Sequence, residues 1–193
     1  TPTIADVNLY VADVYCGAPT GGSTDAVIQG LAWLMQENVP VINVSLVGPP
    51  NVLLQRVIYM SLARGHLIVA AVANAGPSAP PLYPAAYPGV VAVTGVDRAD
   101  KVLIEAGRGR FIAFAAPGAD IEAASLPSGY SPVRGTSFAA PIVARCQPPL
   151  TCPSTSSAVA TASVKNTWLK SLRPVICRNG RTSTPGACMS RAK

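Results

Sequence analysis

Seven residues, Gly135-Thr136-Ser137-Phe138-Ala139-Ala140-Pro141, concentrate the chemistry this sequence can offer. They follow a turn-rich passage (Pro127, Ser128, Gly129, Pro132) and open an apolar run from Phe138 to Ala144. The pattern predicts a serine in the first turn of a buried helix. Thr136 or Ser137 would cap the N–H groups there, and Pro141 is tolerated because it lies close to the helix start. A hydroxyl in that place sits beside backbone donors and the positive end of a helix dipole, where a developing oxyanion is stabilised. Local spacing alone favours a capping serine ahead of a core helix.

The elements that must position this serine read as alternating strands and helices. Residues 7–15 mix alternation with β-branched and aromatic residues and predict a strand, ended by Cys16 as a small core hydrophobe. Ser23 or Thr24 caps a helix running to about Asn38, with Ala26, Ile28, Leu31, Ala32, Leu34 and Met35 on its apolar face. A strand over 41–46, a helix over 52–64 closed by Gly65, and a continuous apolar strand over 66–72 follow. Further strands are expected at 90–94, 111–114 and 121–123. Strand, helix, strand, helix, strand predicts an open α/β fold with a parallel sheet and right-handed crossovers. Such sheets place sites at the carboxyl ends of their strands, where Ser45 and Asn74 fall.

The chain has 193 residues, 49% hydrophobic and 12% charged, enough for one globular domain with a core. No run reaches the roughly 18 apolar residues of a membrane span, and no signal peptide is expected from the residues after Thr1. The net charge of +6 is unevenly placed. Residues 1–145 carry eight Lys/Arg against nine Asp/Glu, whereas 146–193 carry seven Lys/Arg and no acid. Four of the five cysteines (Cys146, Cys152, Cys177, Cys188) also lie in that tail.

The run around Ser137 closely resembles the nucleophile motif of the subtilisin-like serine peptidases, Gly-Thr-Ser-(Met/Phe)-Ala-(Ala/Ser)-Pro. Four more segments resemble that family in the same order, so that the likeness covers residues 8 to 144. Val41-Ile42-Asn43-Val44-Ser45-Leu46-Val47-Gly48-Pro49 is similar to its Val-Ile-Asn-Met-Ser-Leu-Gly-Gly-Pro strand. The resemblance implies that Ser45, Leu46, Val47 and Gly48 bind the substrate backbone and form one wall of a specificity pocket. Ala70-Ala71-Val72-Ala73-Asn74-Ala75-Gly76 resembles Ala-Ala-Ala-Gly-Asn-x-Gly, which makes Asn74 the oxyanion donor. In subtilisin itself, loss of that donor costs about 10²–10³ in kcat. The segment 83–93 resembles a Tyr-Pro-x-x-Tyr-Pro stretch, placing Tyr83 at the pocket rim beside a cis bond to Pro84. Ala115-Ala116-Pro117-Gly118 resembles the Ala-Pro-Gly ahead of the nucleophile region.

The family pattern also requires an aspartate in an Asp-Ser/Thr-Gly turn and a histidine in His-Gly-Thr-His, and neither motif occurs here. His66 is the single histidine; it opens a buried strand and is expected to be structural. Asp13 and Asp25 match no catalytic aspartate. A serine hydroxyl without a base is a poor nucleophile, and in subtilisin itself loss of the histidine alone costs roughly 10⁶ in kcat. Two departures bear on the pocket: Val47 replaces a glycine at the wall, and Ala73 replaces the glycine before Asn74, where a positive φ would be strained.

The expected architecture is therefore a three-layer αβα fold with a mainly parallel sheet, subtilisin-like and incomplete on its N-terminal side. Residues 1–145 form a partial peptidase domain. Residues 146–193, with a short helix possible near 158–172, form a basic Ser/Thr/Pro/Cys-containing tail that is expected to be disordered or the product of a reading-frame slip. Two disulfide bridges in one of three pairings, or a charged binding surface, are the alternatives for it. The function implied is serine-type endopeptidase, Ser137 the nucleophile, in a fragment without the catalytic Asp and His. The alternative is a pseudoenzyme that binds peptides without cleaving them. A polypeptide substrate is implied, with no cofactor, no metal site and no nucleic acid; a secreted or periplasmic setting follows from the resemblance alone.

Overall fold

A computed structural model describes residues 8–15, 22–125, 129–145 and 188–192. Four parallel strands form the central sheet: β2 (Val41–Val44), β3 (Leu67–Ala71), β4 (Val91–Val96) and β5 (Ile112–Pro117), in the order β2-β3-β4-β5. The strand β1 (Leu9–Asp13) lies outside this sheet and pairs antiparallel with β8 (Cys188–Ala192). A third, two-stranded sheet joins β6 (Ile121–Ala124) to β7 (Tyr130–Val133).

Side-chain alternation splits the core into two layers. Ile42, Val44, Ile68, Ala70 and Ala92 point to one face, where they meet Leu31 and Leu34 of α1 (Thr24–Gln36) and Leu54 and Ile58 of α2 (Val52–Ala63). Val41, Val69, Ala71 and Val93 point to the other, against Ala139, Ala140, Val143 and Ala144 of α3 (Thr136–Arg145). Helices on both faces of a parallel sheet make three layers, as the αβα expectation required. β3 is buried throughout, which explains its unbroken apolar sequence.

Side-chain caps set the first two helices, the first of them as the sequence predicts. Ser23 accepts from Ala26 N at the start of α1, and Asn51 accepts from Leu54 N at the start of α2. Gly65, just past α2, takes φ 87°. The Tyr83–Pro84 bond is cis. Two expectations need correction. The passage through Gly129 and Pro132 is not only turn: Tyr130–Val133 is β7, and Pro132 is accommodated because a two-stranded ribbon leaves each strand an unpaired edge. The capping role given to Thr136 or Ser137 also fails, since Thr136 already lies inside α3 and its Oγ1 has no partner. The expectations for Cys16, for a helix near 158–172 and for bridges among the tail cysteines fall outside the described residues.

Candidate active site

α3 begins at the carboxyl ends of β2, β3 and β4, and its first turn is held by side chains from two other loops. The N–H of Thr136 donates to Asn74 Oδ1 at 2.9 Å. Asn74, 62 residues away, thus supplies the cap that no residue local to the helix provides. Gly135 stands at the cap position with φ 139° and no side chain. A Cβ there would lie 3.0 Å from Asn74 Nδ2, so glycine is what lets the amide approach. With its oxygen engaged by Thr136, the amide of Asn74 has its orientation fixed, and its Nδ2 donor remains beside the helix start.

The second support answers a defect that the helix creates. In an α-helix the Ser137 carbonyl would accept from the residue four positions on, which is Pro141, and proline has no N–H. Ser45 replaces the missing donor: its Oγ donates to the Ser137 carbonyl at 3.0 Å. Asn43 Nδ2 in turn donates to Ser45 Oγ at 3.1 Å, which aims the serine proton at Ser137. The end of β2 is therefore tied directly to the residue of interest.

Residues 45–48 continue from β2 and are closed against Tyr83. Gly48 N–H donates to the Tyr83 carbonyl at 2.9 Å, and Tyr83 N–H returns to the Gly48 carbonyl at 3.0 Å. Tyr83 stacks on Tyr87 with centroids 4.3 Å apart, and the Tyr87 hydroxyl is anchored to both polar backbone groups of Asn51. Gly48 and Tyr83 thus form a braced wall, with Leu46 partly buried behind it and Val47 exposed on its rim. Ala73 has φ 80°, the strained conformation that the glycine-to-alanine departure foretold.

A loop the sequence did not single out fastens the remaining side. Gly107 N–H donates to the Ala73 carbonyl and Gly76 N–H to the Glu105 carbonyl, at 3.2 and 2.8 Å. The Glu105 carboxylate accepts two bonds from Arg134, at 2.7 and 3.1 Å. The strand leading to Ser137 and the loop carrying Asn74 are thereby clasped by one short segment. The Arg134 guanidinium holds the Glu105 carboxyl below its ordinary value, and the carboxylate raises Arg134 in return. The opposite charges of residues 105 and 134 were the available signal, but 29 positions separate them.

His66 is remote from this cluster. It precedes β3 at the amino edge of the sheet, whereas Asn74 and Ser137 lie at the carboxyl edge. Its ring is buried, and Nδ1 donates to the Val39 carbonyl at 2.7 Å. Among the described residues no cluster of His, Cys, Asp or Glu could hold a metal ion, and no helix is long and apolar enough to cross a membrane.

The profile of the Subtilase family matches residues 3–173. The chain belongs to the subtilase family. The match continues past residue 144, where the quoted motifs end. Subtilisin Savinase of Lederbergia lenta is 34% identical over 137 residues, covering 70% of this chain and 50% of that protein. An alkaline protease of Alkalihalobacillus alcalophilus is 33% identical over 140 residues, covering 72% and 36%. Among solved structures, the prenylagaramide maturation protease PagA superposes with a TM-score of 0.62 at 28% identity, covering 67% of this chain and 50% of that one. A cold-adapted subtilisin-like serine proteinase gives 0.59 at 29% identity, covering 63% and 45%. The chain thus spans half or less of the length of these relatives.

Proposed function

We propose that this subtilase chain carries the nucleophile and oxyanion half of a serine endopeptidase site acting on polypeptides. Ser137 is the nucleophile, and its own N–H with Asn74 Nδ2 receives the oxyanion of the tetrahedral intermediate. Acyl transfer would then proceed by attack of Ser137 Oγ on the scissile carbonyl, with its proton passing to a base. Ser45, Leu46 and Val47 offer backbone groups to an extended substrate. Gly48 closes the wall, since Tyr83 occupies its polar groups, and Tyr83 shapes the rim.

The observation that carries this reading is the Asn74 Oδ1–Thr136 N bond. A side-chain amide held by its oxygen cannot rotate, so its donor is preorganised at the start of the serine helix. The base is the finer part of the proposal. His66 is engaged at the opposite edge of the sheet, so the imidazole and its orienting carboxylate come from polypeptide outside these 193 residues.

Labelling with a serine-directed fluorophosphonate, beside a Ser137→Ala control, tests both parts. The chain by itself is expected to remain unlabelled. Labelling that disappears in the control would place an activating base within these residues and overturn the division of the site.

A further inference from the structure

We propose that Arg134 is a specificity-determining residue, whose guanidinium receives an acidic side chain of a polypeptide laid across Ser137. The position it reads lies on the other side of the scissile bond from the residues held along 45–47. This rests on the substrate reading above and names the side chain that the same site selects.

Sheet order places Arg134 at one end of the site. β3 lies between β2 and β4, so the segments leaving the carboxyl ends of these strands follow the same order. Residues 45–48 come first, Asn74 second and Glu105 third. Gly76 N–H donates to the Glu105 carbonyl and Gly107 N–H to the Ala73 carbonyl, which keeps the third segment against the second. Arg134 precedes Ser137 by three residues, at most about 11 Å between Cα atoms. Its side chain runs to Glu105. A substrate carbonyl held at Ser137 and Asn74 therefore has the uncharged wall of 45–48 on one side and the Glu105–Arg134 pair on the other.

The bonding capacity left on the pair decides what it binds. Nε and one Nη2 proton of Arg134 serve Glu105, at 2.7 and 3.1 Å. A guanidinium carries five N–H groups. The end of the fork, Nη1 with the second Nη2 proton, has no partner among the described residues. Two parallel N–H groups of this kind match a carboxylate. Glu105 is closer to saturation: it takes both Arg134 bonds and another from its own backbone N–H, and these hold its carboxyl below the ordinary value. Exposure points the same way, since 49% of the Arg134 side chain is open to solvent against 28% for Glu105.

Two further acids act on Arg134 from a distance, Asp120 and Asp97. Each is engaged elsewhere. Asp97 accepts from the N–H groups of Ala99 and Lys101, and Asp120 faces Arg98 at 3.3 Å. An open pair of donors beside the nucleophile, with the nearby carboxylates committed, suits an acceptor and not a cation.

The test titrates the isotope-labelled 193-residue chain with blocked alanine–glycine hexapeptides that carry a single Asp, Leu or Lys at each position in turn. Amide signals of Ser45 to Gly48 report the peptide backbone, and the Nε–H signal of Arg134 reports its side chain. Neither readout needs catalysis. At one position Asp is expected to bind about three- to tenfold more tightly than Leu, moving both sets of signals, and Lys no better than Leu. Arg134→Lys keeps the charge and a partner for Glu105 but loses the fork. It should bring Asp to within about twofold of Leu while the shifts at 45–48 persist. An equal response to Asp and Leu, a preference for Lys, or an Asp preference that survives Arg134→Lys overturns the role of Arg134 and leaves the substrate reading standing. Peptides that move none of the signals of Ser45 to Gly48 overturn the substrate reading itself, and the role of Arg134 with it.

Discussion

The carboxyl end of β2 and its lateral edge lie a few residues apart, yet they treat polar groups in opposite ways. At the carboxyl end, the helix N–H of Thr136 is met by Asn74 and the carbonyl of Ser137 by Ser45, both from distant loops. Along the edge, Val41 is buried with its backbone groups directed at no described partner. The first arrangement is closed by named partners, and the second has no ladder among the described residues. The difference teaches that order at the start of the Ser137 helix and pairing along the sheet edge are separate achievements. Among the described residues the first is reached without the second.

The sharpest way to break that comparison is to ask whether β2 is well packed although no described strand pairs with its outer edge. Ile42 is 1% exposed and lies in the core against α1 and α2. Ile42→Ala should cost about 2–5 kcal/mol in urea denaturation if the surroundings are rigid. A loss below about 1 kcal/mol would show that β2 already relaxes along its unpaired side.

Ser45→Ala asks how much the substitute donor is worth. Pro141 leaves the Ser137 carbonyl without its helical partner, so the alanine variant strands a part-buried acceptor and should lose about 1–3 kcal/mol. An unchanged midpoint would mean that water enters in place of the hydroxyl.

Asn74 asks what the cap on α3 is worth. Asn74→Leu should lose about 1 kcal/mol with the cap on Thr136, whereas Asn74→Asp keeps an acceptor and adds a favourable charge at the helix start. Thermal melts of the pair should therefore place Asp above Leu. The reverse order would show that the bond to Thr136 contributes little to the fold.

How much of this was legible in sequence depends on distance along the chain. Apolar runs revealed β2 and β3, a local cap revealed the start of α1 and Gly65 the end of α2, because each signal lies within a few residues of its effect. The family motifs placed Ser45, Asn74, Tyr83 and Ser137 near one another. The cross-ties were not readable: Ser45 and Ser137 are 92 residues apart, and the proline that makes their bond necessary read only as a permitted helix residue. β7 was hidden by Gly129 and Pro132, whose turn chemistry outweighed four residues of weak alternation. β8 was hidden for a different reason, since its strand order depends on β1, some 180 positions earlier.

The smallest expected effect concerns the clasp behind the site. Arg134 binds Glu105 through two hydrogen bonds and holds its carboxyl below the ordinary 4.5. A depressed carboxyl contributes stability that is present above the unfolded value and disappears as the pH falls through the folded one. Acidification below about pH 4.5 should therefore loosen 103–107 and 134–136 while the pair-deficient Glu105→Gln variant responds less. Both partners reach solvent, so salt and water weaken the pair, and the change belongs in local amide exchange rather than in the global midpoint. Equal acid sensitivity in the two proteins would assign the fastening of this loop to the backbone bonds of Gly76 and Gly107 alone. The site end would then owe its order to groups that do not titrate.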